Sequence, residues 1–258
     1  MKKSAYLKLT LFLFLQLNAS LFYSQTNSDL NDYYTWFDSV IGEGNTDLYN
    51  GTIYIEQYRT EKGNHKFFLS NEYKIGDLVY NNQPYYNVYM KYDIYEDELI
   101  VKLTNQSSHL FIKLVKEKIN RFSIKNYGVN LASNNHEFIT NSSFNGNNKG
   151  TSLSFYEVIN RTSSITLLKK NHKKRSEYIA NSNSYSKFSE NNHFAILYEN
   201  NYHKISSKKD FTHLFPDFKK DISAFYRTER KLYKSDKETF YTTLIENITT
   251  FITKTDIK

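Results

Sequence analysis

The sequence between residues 85 and 103 alternates apolar and polar side chains with the period of a β-strand, and it does so twice. One parity is apolar: Tyr86, Val88, Met90, Tyr92 and Ile94, then Leu99, Val101 and Leu103. The other parity is mixed: Tyr85, Asn87, Tyr89, Lys91, Asp93 and Tyr95, then Ile100, Lys102 and Thr104. Successive side chains of a strand point to opposite faces. The pattern therefore predicts a β-hairpin at the centre of an antiparallel sheet, with its turn at residues 96–98.

Short apolar runs and turn signals continue from residue 47 to residue 206, and further strands are predicted at residues 110–115 and 119–124. Residues 133–150 are rich in Asn, Ser and Gly and predict an exposed loop that encloses a strand at 137–140. The connections are short, and no long helical pattern separates the strands. We therefore expect an α+β fold dominated by an antiparallel β meander, as a curled sheet, a half-barrel or a sandwich.

The two ends of the predicted sheet domain have helical periodicity. Residues 25–46 are expected to form a short N-terminal helix that docks on the sheet. Residues 207–258 are expected to form amphipathic helices that cover one of its faces, with a separate partner-binding arm as the alternative. Within that segment Ser235 and Glu238 have the spacing of a capping box, in which each side chain satisfies a free backbone amide of a helix start.

The N-terminus has the layout of a secretory signal peptide. A basic segment ends at Lys8, an apolar run covers residues 9–17, and small residues follow. The apolar run is short for a membrane span, so we expect cleavage near Ser24, with residues 1–24 as the signal peptide and no integral membrane span afterwards. An uncleaved anchor or a buried helix is the alternative. The predicted location is the periplasm or the outer membrane surface.

Composition excludes several classes of site. The chain has 258 residues and no cysteine, which excludes disulfides, thiolate nucleophiles and lipid anchored through cysteine. The net charge is +7, but the basic residues are spread along the chain, so no nucleic-acid partner is predicted. Its 23 tyrosines and 19 phenylalanines suit the half-buried faces of a sheet.

The candidate catalytic residues are two carboxylates within predicted strands, Asp93 and Glu157. Tyr92 and Tyr156 precede them in the sequence and are the candidate ligand-binding residues. The alternative is that each carboxylate is an outward-facing charge or a partner for a tyrosine hydroxyl. The seven histidines lack the spacing of a zinc site, and neither a phosphate-binding loop nor a nucleotide fingerprint occurs. We therefore predict no metal and no cofactor.

The strongest run of charge is basic and comprises Lys169, Lys170, Lys173, Lys174 and Arg175. Such a run can contact an anionic lipid or glycan surface. The alternative is a solvated end of a hairpin, because most charge runs mark solvated segments.

Several short segments together resemble uncharacterised secreted or periplasmic proteins of Bacteroidota-type bacteria. They are Tyr49-Asn50-Gly51, Gly76-Asp77-Leu78-Val79-Tyr80, Lys91-Tyr92-Asp93, Phe155-Tyr156-Glu157-Val158 and Leu167-Leu168-Lys169-Lys170. The resemblance covers most of the chain after the predicted signal peptide. It implies an exported or cell-envelope location, and it brings neither an activity nor catalytic residues.

Together these features predict an exported protein of the bacterial cell envelope. The leading hypothesis is a non-enzymatic module that binds a partner protein, a lipid or a glycan. One alternative is an envelope hydrolase that uses the strand carboxylates, and another is a structural component of the envelope. A hydrolase requires two polar groups that converge in a cleft.

Overall fold

The computed structural model describes residues 32–36, 40, 46–104, 109–127, 133–141 and 153–255. The chain divides into two compact units, residues 1–40 and residues 41–258. In the first unit, residues 32–36 are helical, within the stretch predicted as a helix. The predicted signal peptide, residues 1–24, lies outside the described residues.

The second unit contains one antiparallel sheet of eleven strands, which confirms the α+β prediction. The strands are β1 (Thr52–Ile53), β2 (Lys74–Tyr80), β3 (Gln83–Asp93), β4 (Glu98–Thr104), β5 (His109–Lys113), β6 (Ile119–Tyr127), β7 (Ser133–Thr140), β8 (Phe155–Arg161), β9 (Ile165–Lys170), β12 (His193–Tyr198) and β13 (Asn201–Ile205). Their spatial order is β1-β5-β4-β3-β2-β6-β7-β8-β9-β12-β13. Because β1 and β13 are the edges among the described strands, the sheet is open and is not closed into a barrel.

Two further strands form a ribbon of their own. β10 (Lys173–Ala180) and β11 (Asn183–Glu190) pair along their whole length, from Lys173 opposite Glu190 to Ala180 opposite Asn183. The ribbon leaves the large sheet after β9 and returns to it at β12, and β9 and β12 pair directly. The chain between residues 170 and 193 is therefore an insertion that projects from two neighbouring strands.

The predicted central hairpin is present as β3 and β4. Their pairing runs from Tyr89 opposite Lys102 to Asp93 opposite Glu98. From Met90 onward the apolar parity of both arms lies in a buried core, and Val88 packs against it. The alternation fails at one point, since Asn87 has a φ of 56° and the register with β2 shifts beside it. Such a bulge exchanges the faces of the residues before it. Tyr85, predicted on the mixed face, is consequently buried.

The predicted strand at residues 137–140 is present, but the prediction of an exposed loop was wrong for residues 133–136. Residues 133–140 together form β7, which lies between β6 and β8 in the middle of the sheet. Phe138 of this strand is fully buried, and it pairs with Phe122 of β6 and Glu157 of β8. Two neighbouring strands and a buried ring outweigh the low strand propensity of the Asn-rich sequence.

Within residues 207–255 the chain forms four α-helices: α1 (Lys208–Leu214), α2 (Lys219–Thr228), α3 (Arg230–Ser235) and α4 (Lys237–Thr255). The predicted capping box at Ser235 is wrong, because Ser235 is the last residue of α3. Asp236 caps α4 instead, with its carboxylate accepting from the backbone N–H and the hydroxyl of Thr239. α4 packs against β8 and β9.

The buried side chains form two large clusters that are separate in the sequence. The first spans residues 48–155 and contains Leu48, Leu78, Tyr80, Tyr85, Met90, Tyr92, Ile94, Leu99, Val101, Leu103, Ile112, Leu114, Ile119, Phe122, Ile124, Phe138 and Phe155. The second spans residues 165–248 and contains Ile165, Leu167, Ile196, Ile205, Phe211, Phe215, Ile222, Phe240, Tyr241, Leu244, Ile245 and Ile248. Strands and turns supply the first cluster, whereas the second combines the last strands with the helices.

Candidate functional site

A cleft of about 340 Å³ lies where β7, β8 and β9 approach residues 65–69 and the first turn of α4. Its apolar wall consists of Phe67, Phe68, Leu69 and Ile94. Its polar lining consists of His65, His136, Glu157, Lys169, Asn171, Lys173, Glu190, Asn192 and Glu238. The volume falls in the range of small-molecule sites, about 300–1,000 Å³. We therefore take this cleft as the candidate site.

Strand register places the central polar groups of the cleft on one face. Glu157 of β8 lies opposite Phe138 of β7 on one side and opposite Lys169 of β9 on the other. Directly paired residues share a face, and so do residues two positions apart. His136 precedes Phe138 by two positions, and Asn171 follows Lys169 by two. The four polar side chains therefore meet although they are distant in the sequence.

Glu157 is buried, and both of its oxygens have a partner. The Nδ2 of Asn171 donates to Oε2 at 2.6 Å. The Nδ1 of His136 lies 2.6 Å from Oε1. A buried carboxylate is stable when its oxygens accept hydrogen bonds or face a cation, and here an amide and an imidazole fill those roles. Asn171 is itself buried, so the carboxylate is held in one orientation.

His136, unlike Glu157 and Asn171, reaches solvent, with 23% of its side chain exposed. A carboxylate accepts hydrogen bonds, so the Nδ1 that faces Glu157 carries a proton. In the neutral ring the lone pair is then on Nε2. The Phe68 ring packs edge-on against the imidazole, with centroids 5.0 Å apart, and it also contacts Phe138. The ring of His136 is therefore held by a carboxylate on one side and an aromatic wall on another.

The two lysines of the cleft are bound to other protein groups. Lys169 Nζ pairs with Glu238 of α4 at 2.7 Å, which joins the sheet to the helix. Lys173 Nζ donates to the carbonyl oxygens of His65, at 2.7 Å, and Phe67, at 3.3 Å. Burial lowers the pKa of Lys173. The lysines therefore anchor the walls of the cleft, and three carboxylates (Glu157, Glu190 and Glu238) share its lining with them.

His65 closes one side of the cleft. Its ring stacks on Phe67, with centroids 6.5 Å apart. Its Nδ1 is inaccessible to solvent and has no hydrogen-bond partner among the described residues. Burial, together with the ammonium of Lys173, lowers the pKa of His65, so its neutral form is favoured.

Asp93, the first candidate catalytic residue, is not part of the cleft lining. It is fully buried, its Oδ2 lies 2.8 Å from Lys66 Nζ, and its Oδ1 accepts from the backbone N–H groups of Tyr95 and Glu96. Burial raises the pKa of Asp93 in spite of the lysine. These contacts brace the tip of the hairpin, so Asp93 has a structural position.

A second, partly buried charge cluster surrounds Asp97 beside that tip. The carboxylate contacts Lys116 Nζ at 2.6 Å and Lys170 Nζ at 2.5 Å, and it accepts from the hydroxyl of Tyr92 at 2.6 Å. Burial acts to raise the pKa of Asp97, but the two lysines hold it below its ordinary value. Burial lowers the pKa of Lys170 to about 8. Tyr92, which was predicted to bind a ligand, is thus buried, and its hydroxyl is bonded within the protein.

The remaining candidates are also tied to the protein. Tyr156 packs against Tyr202, with ring centroids 5.4 Å apart, and Lys170 lies over its ring. Of the basic run, Lys169, Lys170 and Lys173 make the contacts given above. The Arg175 guanidinium lies over Tyr58 at 4.6 Å and pairs with Glu177, and Lys174 is exposed. Most of the run is therefore engaged with other groups of the protein.

Sequence reasoning identified Glu157 and did not identify His136 or Asn171. His136 lay in the predicted loop, and Asn171 lay in the basic run. The signal was present in the parity of β7, since His136 and the buried Phe138 are two residues apart. Using that signal requires the pairing of β7 with β8, which the sequence of either strand does not specify.

Comparison with protein families, with curated proteins and with solved structures finds no match to this chain. Within the described residues no helix is long and apolar enough to cross a membrane. Among the same residues no group of three or more histidine, aspartate or glutamate side chains is arranged to hold a metal ion. The geometry of the cleft is therefore the basis on which a function is proposed.

Proposed function

We propose that this chain is an exported binding protein of the cell envelope that holds a hydroxyl-rich ligand, a glycan or a fragment of one, in the cleft. The layout of residues 1–24 and the resemblance to secreted proteins support export. The observation that carries the ligand class is the lining of the cleft, where carboxylate, amide and imidazole groups surround an aromatic wall.

The chemistry of a sugar fits these groups. Adjacent hydroxyls both donate and accept hydrogen bonds, and the more accessible polar groups of the lining, His136, Asn192 and Glu190, offer donors and acceptors. The apolar faces of sugar rings pack on aromatic side chains, and Phe67 and Phe68 supply them. Ligand sites commonly combine an apolar wall with a few fixed polar groups.

The interior beside the cleft argues against a lipid chain. Phe68 lines the cleft and also contacts Phe138, which stacks on Phe122 with centroids 4.6 Å apart. Tyr92 and Phe155 pack around that pair. Protein side chains thus occupy the space beside Phe68 into which an acyl chain would have to extend. A polar ligand that stays in the mouth of the cleft meets no such obstacle.

Isothermal titration calorimetry with cellobiose, lactose and chitobiose tests the proposal. We expect saturable binding of at least one disaccharide, and we expect Asn171→Ala and Glu157→Gln to weaken it at least tenfold. Glu117→Gln is the matched control, because Glu117 is exposed in a turn and does not line the cleft. Binding that is equal in all variants would contradict the proposal. So would native mass spectrometry in which the purified chain carries a lipid or a peptide.

A further inference from the structure

We propose that His136 is the proton acceptor of a hydrolytic site, and that the cleft cleaves an ester-linked acyl group from its hydroxyl-rich ligand. The proposal rests on the function proposed above for the identity of the ligand and adds a reaction to it. It stands on the arrangement of His136, Glu157 and Asn171 at the cleft.

The arrangement is that of a base with an orienting partner. Glu157 meets the Nδ1 of His136 at 2.6 Å, and Asn171 fixes Glu157 from the other side at 2.6 Å. A carboxylate in this position selects the tautomer that has its lone pair on Nε2, and it stabilises the imidazolium that forms on proton uptake. A third group that orients the carboxylate is the usual companion of a working base.

The residues that line the cleft indicate which group is the nucleophile. None of the described residues that line the cleft is a serine, a threonine or a cysteine. The base therefore acts on a water molecule. Lys169 and Lys173, the cationic side chains of the lining, are held by Glu238 and by two backbone carbonyls, so the proposed reaction depends on the base and the water alone.

The step balances with water as the co-reactant. His136 Nε2 takes a proton from water while the water oxygen forms a bond to the acyl carbon. The bond between the acyl carbon and the ester oxygen then breaks, and the imidazolium returns its proton to the leaving alkoxide. The products are a carboxylic acid and the free hydroxyl of the ligand, and no oxidant or reductant is required.

The experiment measures hydrolysis of p-nitrophenyl acetate and glucose pentaacetate by the purified full chain. We expect saturable turnover and a loss of about 100-fold or more in kcat/KM for His136→Gln, the usual contribution of a general base. His213→Gln is the matched control, because His213 is exposed on α1 and outside the cleft, and free imidazoles hydrolyse activated esters slowly. Added imidazole should partly restore His136→Ala.

Glu157 acts through His136 and is a positioning residue, so its variant is examined by pH profile. Glu157→Gln removes the negative charge that stabilises the imidazolium, and the acid limb of kcat/KM should move to lower pH. The other titratable groups that line the cleft are His65, Lys169, Lys173, Glu190 and Glu238. His213→Gln, at a histidine outside the cleft, should leave that limb in place.

The outcomes distinguish this proposal from the binding function. If disaccharides bind at the cleft and neither ester is hydrolysed, the hydrolytic proposal is wrong and the binding function stands. Hydrolysis that is unchanged in His136→Gln also overturns it. If hydrolysis depends on His136 and no disaccharide binds, the reaction stands and the glycan assignment fails. If neither His136→Gln nor His136→Ala keeps the circular dichroism of the wild type, the wild type itself decides. A wild-type kcat/KM that does not fall at low pH then overturns the proposal.

Discussion

Lys66 and Asp93 form an ion pair of 2.8 Å in which the side chains are 4% and 0% exposed. The lysine precedes Phe67 and Phe68, which form the wall of the cleft, and the aspartate ends β3. Backbone hydrogen bonds join the same segments, since Phe68 N donates to Tyr92 O and Ile94 N donates to Lys66 O. The pair therefore fixes the aromatic wall to the central hairpin.

Replacing the lysine of this pair should destabilise the protein strongly. Lys66→Met leaves the Asp93 carboxylate buried without its cation, and we expect the free energy of unfolding to fall by about 3–5 kcal/mol. Urea denaturation followed by circular dichroism at pH 7 measures the change. The double variant Lys66→Met with Asp93→Asn should recover part of the loss, because it removes the unpaired charge and keeps an oxygen for the backbone donors. A loss below about 1 kcal/mol would contradict the structural role.

The loss of stability in Lys66→Met should depend on pH, and its direction can be predicted. Burial raises the folded-state pKa of Asp93 above its ordinary value, so this residue contributes stability at low pH that is lost as pH rises through the folded pKa. Removal of Lys66 takes away a group that lowers that pKa. The loss caused by Lys66→Met should therefore be smaller at pH 4.5 than at pH 7, in urea titrations at both values. An equal loss at the two values would show that the charge of Asp93 is not responsible.

Lys170 should make the free energy of unfolding depend on pH in the alkaline range. Its folded-state pKa is lowered to about 8 by burial, so the unfolded chain binds more protons between that pH and the ordinary value near 10.5. Stability from this group rises with pH across that window, by up to about 1.4 kcal/mol per pH unit. Lys170→Met should remove this contribution between pH 8 and pH 9.5 relative to the wild type, as measured by chemical denaturation. Parallel curves for the two proteins would refute the assignment.

Two neighbouring residues test which side chain caps α4. Asp236→Ala should lower the free energy of unfolding by about 1 kcal/mol, because the backbone N–H of Thr239 loses its acceptor. Ser235→Ala should change it by less than about 0.5 kcal/mol, since that hydroxyl bonds carbonyls within α3. Thermal unfolding of both variants under one set of conditions makes the comparison. The reverse order would place the cap at Ser235.

Gly76 is required by the spacing of two strands. A Cβ at this position would lie 1.9 Å from the carbonyl oxygen of Ser123 on β6, which cannot move without the strand. We expect Gly76→Ala to cost several kcal/mol or to prevent folding, which soluble yield and thermal unfolding would reveal. Gly63→Ala is the comparison, because nothing lies within 4 Å there and only its φ of +85° is unfavourable, at about 1–2 kcal/mol. Similar losses for both would exclude the strand contact.

The sequence predicts those parts of the fold that depend on local periodicity. The alternation of β3 and β4, the antiparallel class and the helical character after residue 207 all follow from the spacing of apolar residues. The bulge at Asn87 does not, because an extra residue in a strand is decided by its partner strand. The cap of α4 was assigned one residue early, since Ser235 and Asp236 are both acceptable caps and the end of α3 decides between them.

The candidate site was only half predictable for a related reason. Glu157 is a carboxylate in an apolar strand and attracts attention by itself. His136 and Asn171 become partners through the pairing of β7, β8 and β9, and the sequence of each strand is compatible with several partners. Asp93 is also a carboxylate within an apolar strand and was predicted as a candidate for the same reason, but it forms an ion pair with a lysine 27 positions earlier. Local sequence cannot distinguish those two environments.

The order of the two clusters along the chain bears on how the protein is made. All residues of the first cluster precede those of the second along the chain, so that half of the sheet can form before the rest. The second cluster is incomplete until Ile248 has been added. Until then the helices do not cover the apolar face of β9, β12 and β13. A chaperone would have to shield that face.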